Sequence, residues 1–90
     1  MQYDVKAARA TATGTMVDTR TRLKGVVVTG SAGAGSVVFR DGGATGPVLL
    51  QLDVLANAEE DILIPGEGIL FSTDIHATIT ALTSVVAFYG

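Results

Sequence analysis

The chain has 90 residues, of which 48% are hydrophobic and 17% are charged, and its formal charge is −3. It contains no cysteine, which excludes disulfides and zinc–thiolate sites. Its isoelectric point near 4.7 argues against nucleic-acid binding, because that function normally requires a basic surface. No window approaches the ~20 apolar residues of a membrane-spanning helix. The first residues also lack the basic and apolar regions of a signal peptide.

The small size of the chain limits how stable it can be alone. A domain of this length buries only about two-thirds of the surface that its unfolded chain exposes. The mean hydropathy of +0.45 is high for a chain with so little room for a core. We therefore expect part of its apolar surface to be covered by other subunits.

The N-terminal segment, residues 4–17, alternates small residues with threonines. Threonine loses rotamer freedom in a helix, so this composition favours an extended strand. In a strand, Ala7 and Arg9 face one side and Lys6 and Ala8 face the other. Because its hydrophobic content is slight, the segment is predicted to be either an edge strand or an arm lying on a neighbouring subunit.

The centre of the chain, residues 22–52, contains three short apolar runs separated by glycine-rich breaks. Runs rich in β-branched residues and bounded by Gly, Ser and Asp are typical of strands joined by turns. They predict three consecutive strands at residues 22–29, 36–40 and 48–54.

The second break in this region begins with Asp41-Gly42-Gly43 and extends through Pro47. Asp-Gly and Gly-Gly are typical of hairpin turns, because such turns need positive φ angles that glycine adopts at little cost. In the strand that follows, alternation places Leu50 and Leu52 on one face, with the opposite face formed by Leu49, Gln51 and Asp53.

The C-terminal third is predicted to contain four short strands, at residues 62–64, 69–72, 75–80 and 85–89. The acidic residues 57–61 are expected to form a solvated loop, and residues 54–61 are the one place where a helical turn is acceptable. Pro65-Gly66 predicts a turn. Residues 81–84 are expected to be a short polar connection.

Seven or eight short antiparallel strands at intervals of roughly 8–12 residues are typical of a β-sandwich or small barrel. We predict an all-β fold with a single jelly-roll-like β-sandwich and an extended N-terminal arm. Residues 1–21 form the N-terminal strand or arm, and residues 22–90 form the sandwich, within one domain overall. No internal repeat is present.

The glycine-rich stretch at residues 30–36 is similar in composition to a phosphate-binding loop. The glycines stand at relative positions one, four and six, whereas the dinucleotide fingerprint needs one, three and six. Ser36 occupies the position where a phosphate loop requires lysine. A strand is predicted after the loop, whereas phosphate binding requires a helix N-terminus there. A plain flexible loop is the better interpretation.

His76 is the only histidine. Together with Asp74 it could begin a metal site on one face of a strand, but no third ligand is indicated. A polar residue at a surface or subunit interface is the simpler interpretation. A lone histidine could also titrate near neutral pH and modulate such an interface.

The acidic candidates for paired-carboxylate catalysis mostly fall in predicted turns, where acids are common: Asp41, Asp53, Glu59, Glu60, Asp61 and Glu67. The serines lie in predicted loops without a credible His–Asp partner. We predict no catalytic, cofactor-binding or metal-binding residues, no cofactor and no enzymatic activity.

Four segments of the sequence carry a resemblance to a known family: RLKG (22–25), SVVFRDGG (36–43), IPGEGILF (64–71) and VAFYG (86–90). Together they resemble small β-rich virion structural proteins of tailed bacteriophages, especially short-tailed phages of marine cyanobacteria. The likeness covers roughly residues 23–90 and leaves out residues 1–21. It rests on turn and strand motifs, so no functional residues are carried over.

The resemblance implies a non-enzymatic structural protein of the virus particle, made in the host cytoplasm. One placement is a capsid decoration or cement protein on the outer shell, often a homotrimer, that clamps neighbouring major capsid subunits. The other is a small tail or vertex-appendage protein. Partners would be the major capsid protein and copies of itself in a homo-oligomer, with a trimer favoured, without nucleic acid or membrane.

A carbohydrate- or receptor-binding module is a third hypothesis, because β-sandwiches often bind sugars. Such modules normally use exposed aromatic side chains, and this chain has only five aromatic residues, most of them in predicted core strands.

Overall fold

A computed structural model describes residues 6–64 and 68–90 of the chain. The described residues form nine β-strands and no helix. The strands are β1 (Lys6–Ala10), β2 (Gly14–Val17), β3 (Thr21–Gly30), β4 (Gly35–Arg40), β5 (Val48–Val54), β6 (Glu59–Leu63), β7 (Ile69–Phe71), β8 (Ile75–Thr80) and β9 (Leu82–Tyr89). The predicted Pro65-Gly66 turn lies outside the described residues, as does the first part of the predicted N-terminal segment.

The strands form two antiparallel sheets. Sheet A has the order β1-β9-β3-β6, and the short β7 also pairs with β3, alongside its other end. Sheet B has the order β2-β8-β4-β5. The all-β class is confirmed, and two antiparallel sheets are compatible with the predicted β-sandwich.

The hydrophobic core is formed by the inward faces of the two sheets. Every second side chain points inward over most of the strands, as the two-residue period of a strand requires. A register shift in β3 interrupts this alternation, so that Leu23 and Val26, three residues apart, both belong to the core. The core side chains with no solvent exposure are Leu23, Val28, Val37, Phe39, Phe71, Ile75, Ala77, Val85 and Ala87. Burying a Phe or Leu side chain fully contributes about 1.5–3 kcal/mol each, so these few residues account for most of the cohesion between the sheets.

Two central predictions are confirmed with their bounds. Strands β5 and β8 occupy the predicted residues 48–54 and 75–80. In β5 the inward Leu50 and Leu52 pack against the core, whereas Gln51 and Asp53 are exposed. The turn residues that flank these two strands therefore predicted where each strand begins and ends.

The prediction of one N-terminal strand is wrong, because the segment divides between the two sheets. Strand β1 pairs with β9 in sheet A, and β2 pairs with β8 in sheet B. Between them, the Thr13 hydroxyl accepts a hydrogen bond from the Ile79 N–H (2.9 Å) and donates one to the Ile79 carbonyl (3.3 Å). These side-chain bonds take the place of ladder bonds while the chain crosses between sheets. Both strands are edge strands, and an arm on a neighbouring subunit is not confirmed.

The predicted acidic loop at residues 57–61 is also wrong, since Glu59, Glu60 and Asp61 belong to β6. They pair with the edge of β3, which satisfies their backbone groups, while their side chains stay exposed. Charged side chains are common on edge strands because they discourage pairing with other chains. The permitted helical turn before β6 is a tight turn instead, with the Ala58 N–H bonded to the Leu55 carbonyl and Asn57 at φ +57°.

The predicted polar connection at residues 81–84 is wrong as well, because Ala81 alone joins β8 to β9. Ala81 has φ +53°, in the left-handed region, and this sharp corner redirects the chain from sheet B to sheet A. Leu82 and Ser84 are then buried in β9. The sequence gives no hint of such a corner, because alanine rarely adopts a positive φ.

Candidate binding surfaces

The connections on either side of β4 lie at opposite ends of the sandwich. Residues 31–34 precede β4, and residues 41–47 follow it. We call the second end the Asp41 end. The connection between β7 and β8, residues 72–74, also lies there.

Two aspartates bind the two loops of the Asp41 end to each other. The Asp41 carboxylate accepts hydrogen bonds from the Ser72 N–H (3.0 Å), the Ser72 hydroxyl (2.8 Å) and the Thr73 N–H (2.8 Å). In return, Oδ1 of Asp74 accepts hydrogen bonds from the N–H groups of Gly42 (2.8 Å) and Gly43 (3.1 Å). Each carboxylate thus caps the backbone of the opposite loop, an arrangement that we call the aspartate clamp.

The glycines of this turn have the conformation that the sequence predicts. Gly42 has φ +96° and Gly43 has φ +88°, which only glycine adopts at low cost. These angles turn both N–H groups toward Asp74. The turn therefore reverses the chain between β4 and β5 and also presents the two glycine N–H groups of the aspartate clamp.

Hydrogen bonding also sets the acidity of Asp41. The backbone N–H groups of Ser72 and Thr73 and the Ser72 hydroxyl stabilise the charged carboxylate and lower the pKa of Asp41 from 3.8 to about 2. The Asp41 carboxylate is therefore charged at pH values well above 2. A group with a depressed pKa that supports a loop contact is expected of a structural element, and a catalytic base would instead need a pKa near neutral.

Beside the clamp, Arg40 and His76 are cross-strand partners on the outer side of sheet B. One guanidinium nitrogen of Arg40 donates to the Gly46 carbonyl (3.0 Å), which ties β4 to the returning loop. His76 is 8% exposed, and its Nδ1 and the Nε of Arg40 have no hydrogen-bond partner among the described residues.

Asp74 and His76, the two residues that could begin a metal site, have different surroundings in the structure. Asp74 precedes β8, and its carboxylate oxygen is engaged by the glycine N–H groups. His76 lies within β8, opposite Thr15 and Arg40. Residues 6–64 and 68–90 contain no group of three or more His, Asp or Glu side chains able to hold a metal ion.

The glycine-rich loop before β4 is followed by a strand, as predicted, and is tied down by its neighbours. The Gly30 N–H donates to the Ala58 carbonyl (2.6 Å), and the Asn57 N–H donates to the Ser31 carbonyl (2.7 Å). The Ser31 hydroxyl donates to the carbonyl of Ala81 at the corner (2.8 Å). Beside this loop lies an open depression of about 370 Å³, lined by Ala34, Gly35, Ser36, Asp53, Val54, Leu55 and Thr80.

The acidic candidates do not gather at one place. Asp53 lies in β5 of sheet B, whereas Glu59, Glu60 and Asp61 lie in β6 of sheet A. Asp41 is engaged by Ser72 and Thr73. Glu67 lies outside the described residues.

The outward faces of the two sheets differ in chemistry. On sheet B the outward residues of β4, β5 and β8 are mainly polar: Ser36, Val38, Gln51, Asp53, Thr78 and Thr80. On sheet A the outward residues of β3 and β9 include Val27, Val86 and Phe88, all partly exposed. At the edge of the same face, Leu63 is 87% exposed. Sheet A therefore presents apolar surface outward, which the sequence interpretation did not identify.

The aromatic residues are poorly placed for sugar binding. Phe39 and Phe71 are fully buried in the core, and Phe88 and Tyr89 are half-buried. Tyr3 lies outside the described residues. A sugar site built on stacking would need aromatic faces open to solvent, and Phe39 and Phe71 offer none.

No protein-family model, curated protein or solved structure matches the chain. Within the described part of the chain there is no helix that could cross a membrane.

Proposed function

We propose that the chain is a non-enzymatic structural protein of a tailed-phage particle, made in the host cytoplasm. In this proposal it is a capsid decoration or cement protein that binds the outer capsid surface. Its partners are the major capsid protein and copies of itself. The observation that carries the proposal is the resemblance of the four segments between residues 22 and 90 to small virion proteins.

The positions of these segments in the fold support the proposal. In sheet A, Leu23 of the first segment pairs with Ile69 of the third and Tyr89 of the fourth. The second segment contains Asp41, which accepts hydrogen bonds from Ser72, the residue directly after the third segment. Segments that are distant in sequence thus contact one another in the folded chain. Such contacts are expected of motifs that determine a shared fold.

The strand pairing supports the more specific proposal that the sandwich is a jelly roll. The pairs β1–β9, β2–β8, β3–β6 and β4–β5 are nested, as in one long antiparallel hairpin folded over on itself. Apart from the β4–β5 hairpin, successive strands of these eight lie in opposite sheets in the manner of a double Greek key, and β7 is an addition at the edge. Jelly rolls are common among viral capsid and lectin domains. This is support from fold analogy alone.

The surface properties also support assembly on an outer shell. Leu63, which is 87% exposed, extends the apolar outward face of sheet A formed by Val27, Val86 and Phe88, and contiguous exposed apolar patches mark contact sites. The net charge of −3 would be repelled by packaged DNA, so the outside of a capsid suits the chain better than the inside.

The N-terminal arm, residues 1–21, remains a proposal. Strands β1 and β2 already have partners in β9 and β8 of the same chain. An arm contact would therefore use the outer edges of β1 and β2, which are edge strands, to add them to a neighbouring sheet through main-chain hydrogen bonds.

The test uses particles of the encoding phage that lack the protein. Purified protein is added back, and binding is measured by co-sedimentation with the particles, followed by heat inactivation. We expect saturable binding and a higher inactivation temperature after add-back, because a protein that clamps neighbouring subunits opposes their separation. Bovine serum albumin at equal mass is the control. Failure to bind, with equal heat stability of both particle types, would refute the proposal.

A further inference from the structure

We propose that the outward face of sheet A is a two-fold self-association surface, and that its occupant is the same face of a second copy of this chain. The proposal specifies the self-assembly part of the proposed function and rests on that part alone. It does not require that the chain binds a capsid.

The first observation is a row of side chains that crosses sheet A from edge to edge. Arg9 of β1 pairs with Val86 of β9, Val86 pairs with Val27 of β3, and Val27 pairs with Asp61 of β6. All four side chains point outward, because their sequence neighbours Ala8, Ala87, Val26 and Ile62 belong to or pack against the core. The row is therefore positive at one edge, apolar in the middle and negative at the other edge.

The neighbouring row on the same face is apolar and alternates in size. Ala7 pairs with Phe88, Phe88 pairs with Gly25, and Gly25 pairs with Leu63. Small residues thus stand at the first and third positions and large ones at the second and fourth. The Phe88 ring leans over Gly25, where a side chain would contact it at 3.6 Å.

Both rows match themselves under one symmetry operation. A two-fold axis parallel to the strands, between β9 and β3, lays β1 of one copy over β6 of the other. Arg9 then faces Asp61 of the second copy, and Val86 faces Val27. In the next row Ala7 faces Leu63, so a large side chain opposes a small one at both edges, and the two Phe88 rings, each of which covers its own Gly25, meet near the axis. Such self-complementarity is what an isologous contact requires.

The outward face of sheet B lacks this pattern. Its middle row runs Thr78–Val38–Gln51, and the next runs Thr80–Ser36–Asp53. These rows are mainly polar and carry no opposite charges at their two ends. The match is therefore specific to sheet A.

The size of the face predicts a weak contact. Four strands about 4.8 Å apart, over about seven residues of length, span roughly 19 Å by 23 Å. This gives about 900 Å² for the two copies together, close to the ~1,000 Å² lower limit for a specific interface. We expect a dimer that dissociates on dilution, so self-association must be measured over a concentration series.

The first test exchanges the two charges. Arg9→Glu and Asp61→Arg are each expected to weaken dimerisation about tenfold or more in sedimentation equilibrium, because like charges then meet at both ends of the row. An equimolar mixture of the two variants is expected to form heterodimers. In a heterodimer the introduced glutamate faces the introduced arginine, and the unchanged Asp61 of one copy faces the unchanged Arg9 of the other. Asp53→Arg, which reverses a charge on sheet B, is the matched control and should dimerise like the wild type.

The second test uses the natural absence of cysteine. Within one chain Ala7 and Leu63 are three strand spacings apart, about 14 Å. Ala7→Cys and Leu63→Cys are therefore mixed and treated with a bis-maleimide shorter than this spacing. We expect a cross-linked pair in the mixture and little or none with either variant alone.

The outcomes separate clearly. A concentration-dependent dimer that the single charge reversals weaken and the mixture restores supports the proposal. A chain that stays monomeric at millimolar concentration overturns it. So does an oligomer, trimeric or other, that tolerates both single reversals. Capsid binding is measured separately, so its failure leaves this result unaffected.

Discussion

Removal of the Asp74 carboxylate tests whether the aspartate clamp stabilises the fold. Asp74 is 8% exposed, and its oxygen accepts two backbone hydrogen bonds, from Gly42 at 2.8 Å and Gly43 at 3.1 Å. Bonds to a charged acceptor contribute about 1.5–3 kcal/mol each, and the lower value applies here because both glycines can regain water. Asp74→Ala is therefore expected to lower the free energy of unfolding by about 2–3 kcal/mol. Asp74→Asn, which keeps a neutral acceptor, should cost roughly half as much.

The assay is urea unfolding followed by far-ultraviolet circular dichroism at pH 7. All variants are compared at one protein concentration, because self-association would raise the apparent stability. With a slope near 1 kcal/mol/M, typical of a small domain, the Asp74→Ala midpoint should fall by about 2–3 M. Asp53→Ala, an exposed aspartate of β5, is the matched control and should change stability by less than about 0.5 kcal/mol. If Asp74→Ala unfolds at the same urea concentration as Asp53→Ala, the clamp does not stabilise the fold.

Three further predictions concern backbone and charge. The pKa of Asp41 is about 2 in the fold and 3.8 without the contacts, so the stability that its carboxylate contributes is complete above pH ~4 and is lost as the pH falls through 2. Asp41→Asn should remove this acid dependence of the melting temperature, and a melting profile with the same pH dependence as the wild type would contradict the prediction. Ala81→Gly should raise the free energy of unfolding by about 0.5–1 kcal/mol, because glycine adopts φ +53° at lower cost than alanine. A lower free energy of unfolding would show that the backbone at Ala81 is unstrained. Gly35→Ala should lower the free energy of unfolding by about 1–3 kcal/mol, because the added Cβ would overlap the Thr80 and Ala81 carbonyls. Gly33→Ala, near the same loop, places its Cβ in open space and should leave stability unchanged, so equal unfolding midpoints for the two variants would refute the prediction.

The sequence predicts those parts of the fold whose limits depend on local chemistry. β5 begins directly after Gly46-Pro47, and β8 begins after the Ser72-Thr73-Asp74 turn, so both strands have the predicted bounds. The Asp41-Gly42-Gly43 turn likewise has the positive φ angles that its glycines indicate. In each case one or two residues determine the backbone conformation.

Features that depend on tertiary pairing could not be predicted in the same way. The acidic residues of β6 have no strand propensity of their own, and the register with β3 places them in a sheet. The division of the N-terminal segment depends on Thr13 meeting Ile79, 66 residues later in the chain. Such contacts leave no periodic pattern in the sequence.

The candidate surfaces show the same division. The sequence indicates that the loops before and after β4 lie at the surface, but it does not pair Asp41 with Ser72 or Gly42 with Asp74, because these residues are 31 or 32 positions apart. One signal for the apolar face of sheet A was available. Val26-Val27-Val28 and Val85-Val86-Ala87-Phe88 do not alternate with polar residues, and uninterrupted apolar strands are typical of sheets covered on both faces.

The number of copies of the chain per purified particle of the phage that, in our proposal, encodes it tests the proposed function most directly. Quantitative mass spectrometry of purified virions, with the major capsid protein as the internal reference, provides this number. A protein that decorates the shell repeats with the capsid lattice, so we predict hundreds of copies in a fixed ratio to the major capsid protein. Tens of copies or fewer would place the chain in the tail or at a vertex, and its absence from the particle would contradict a virion role altogether.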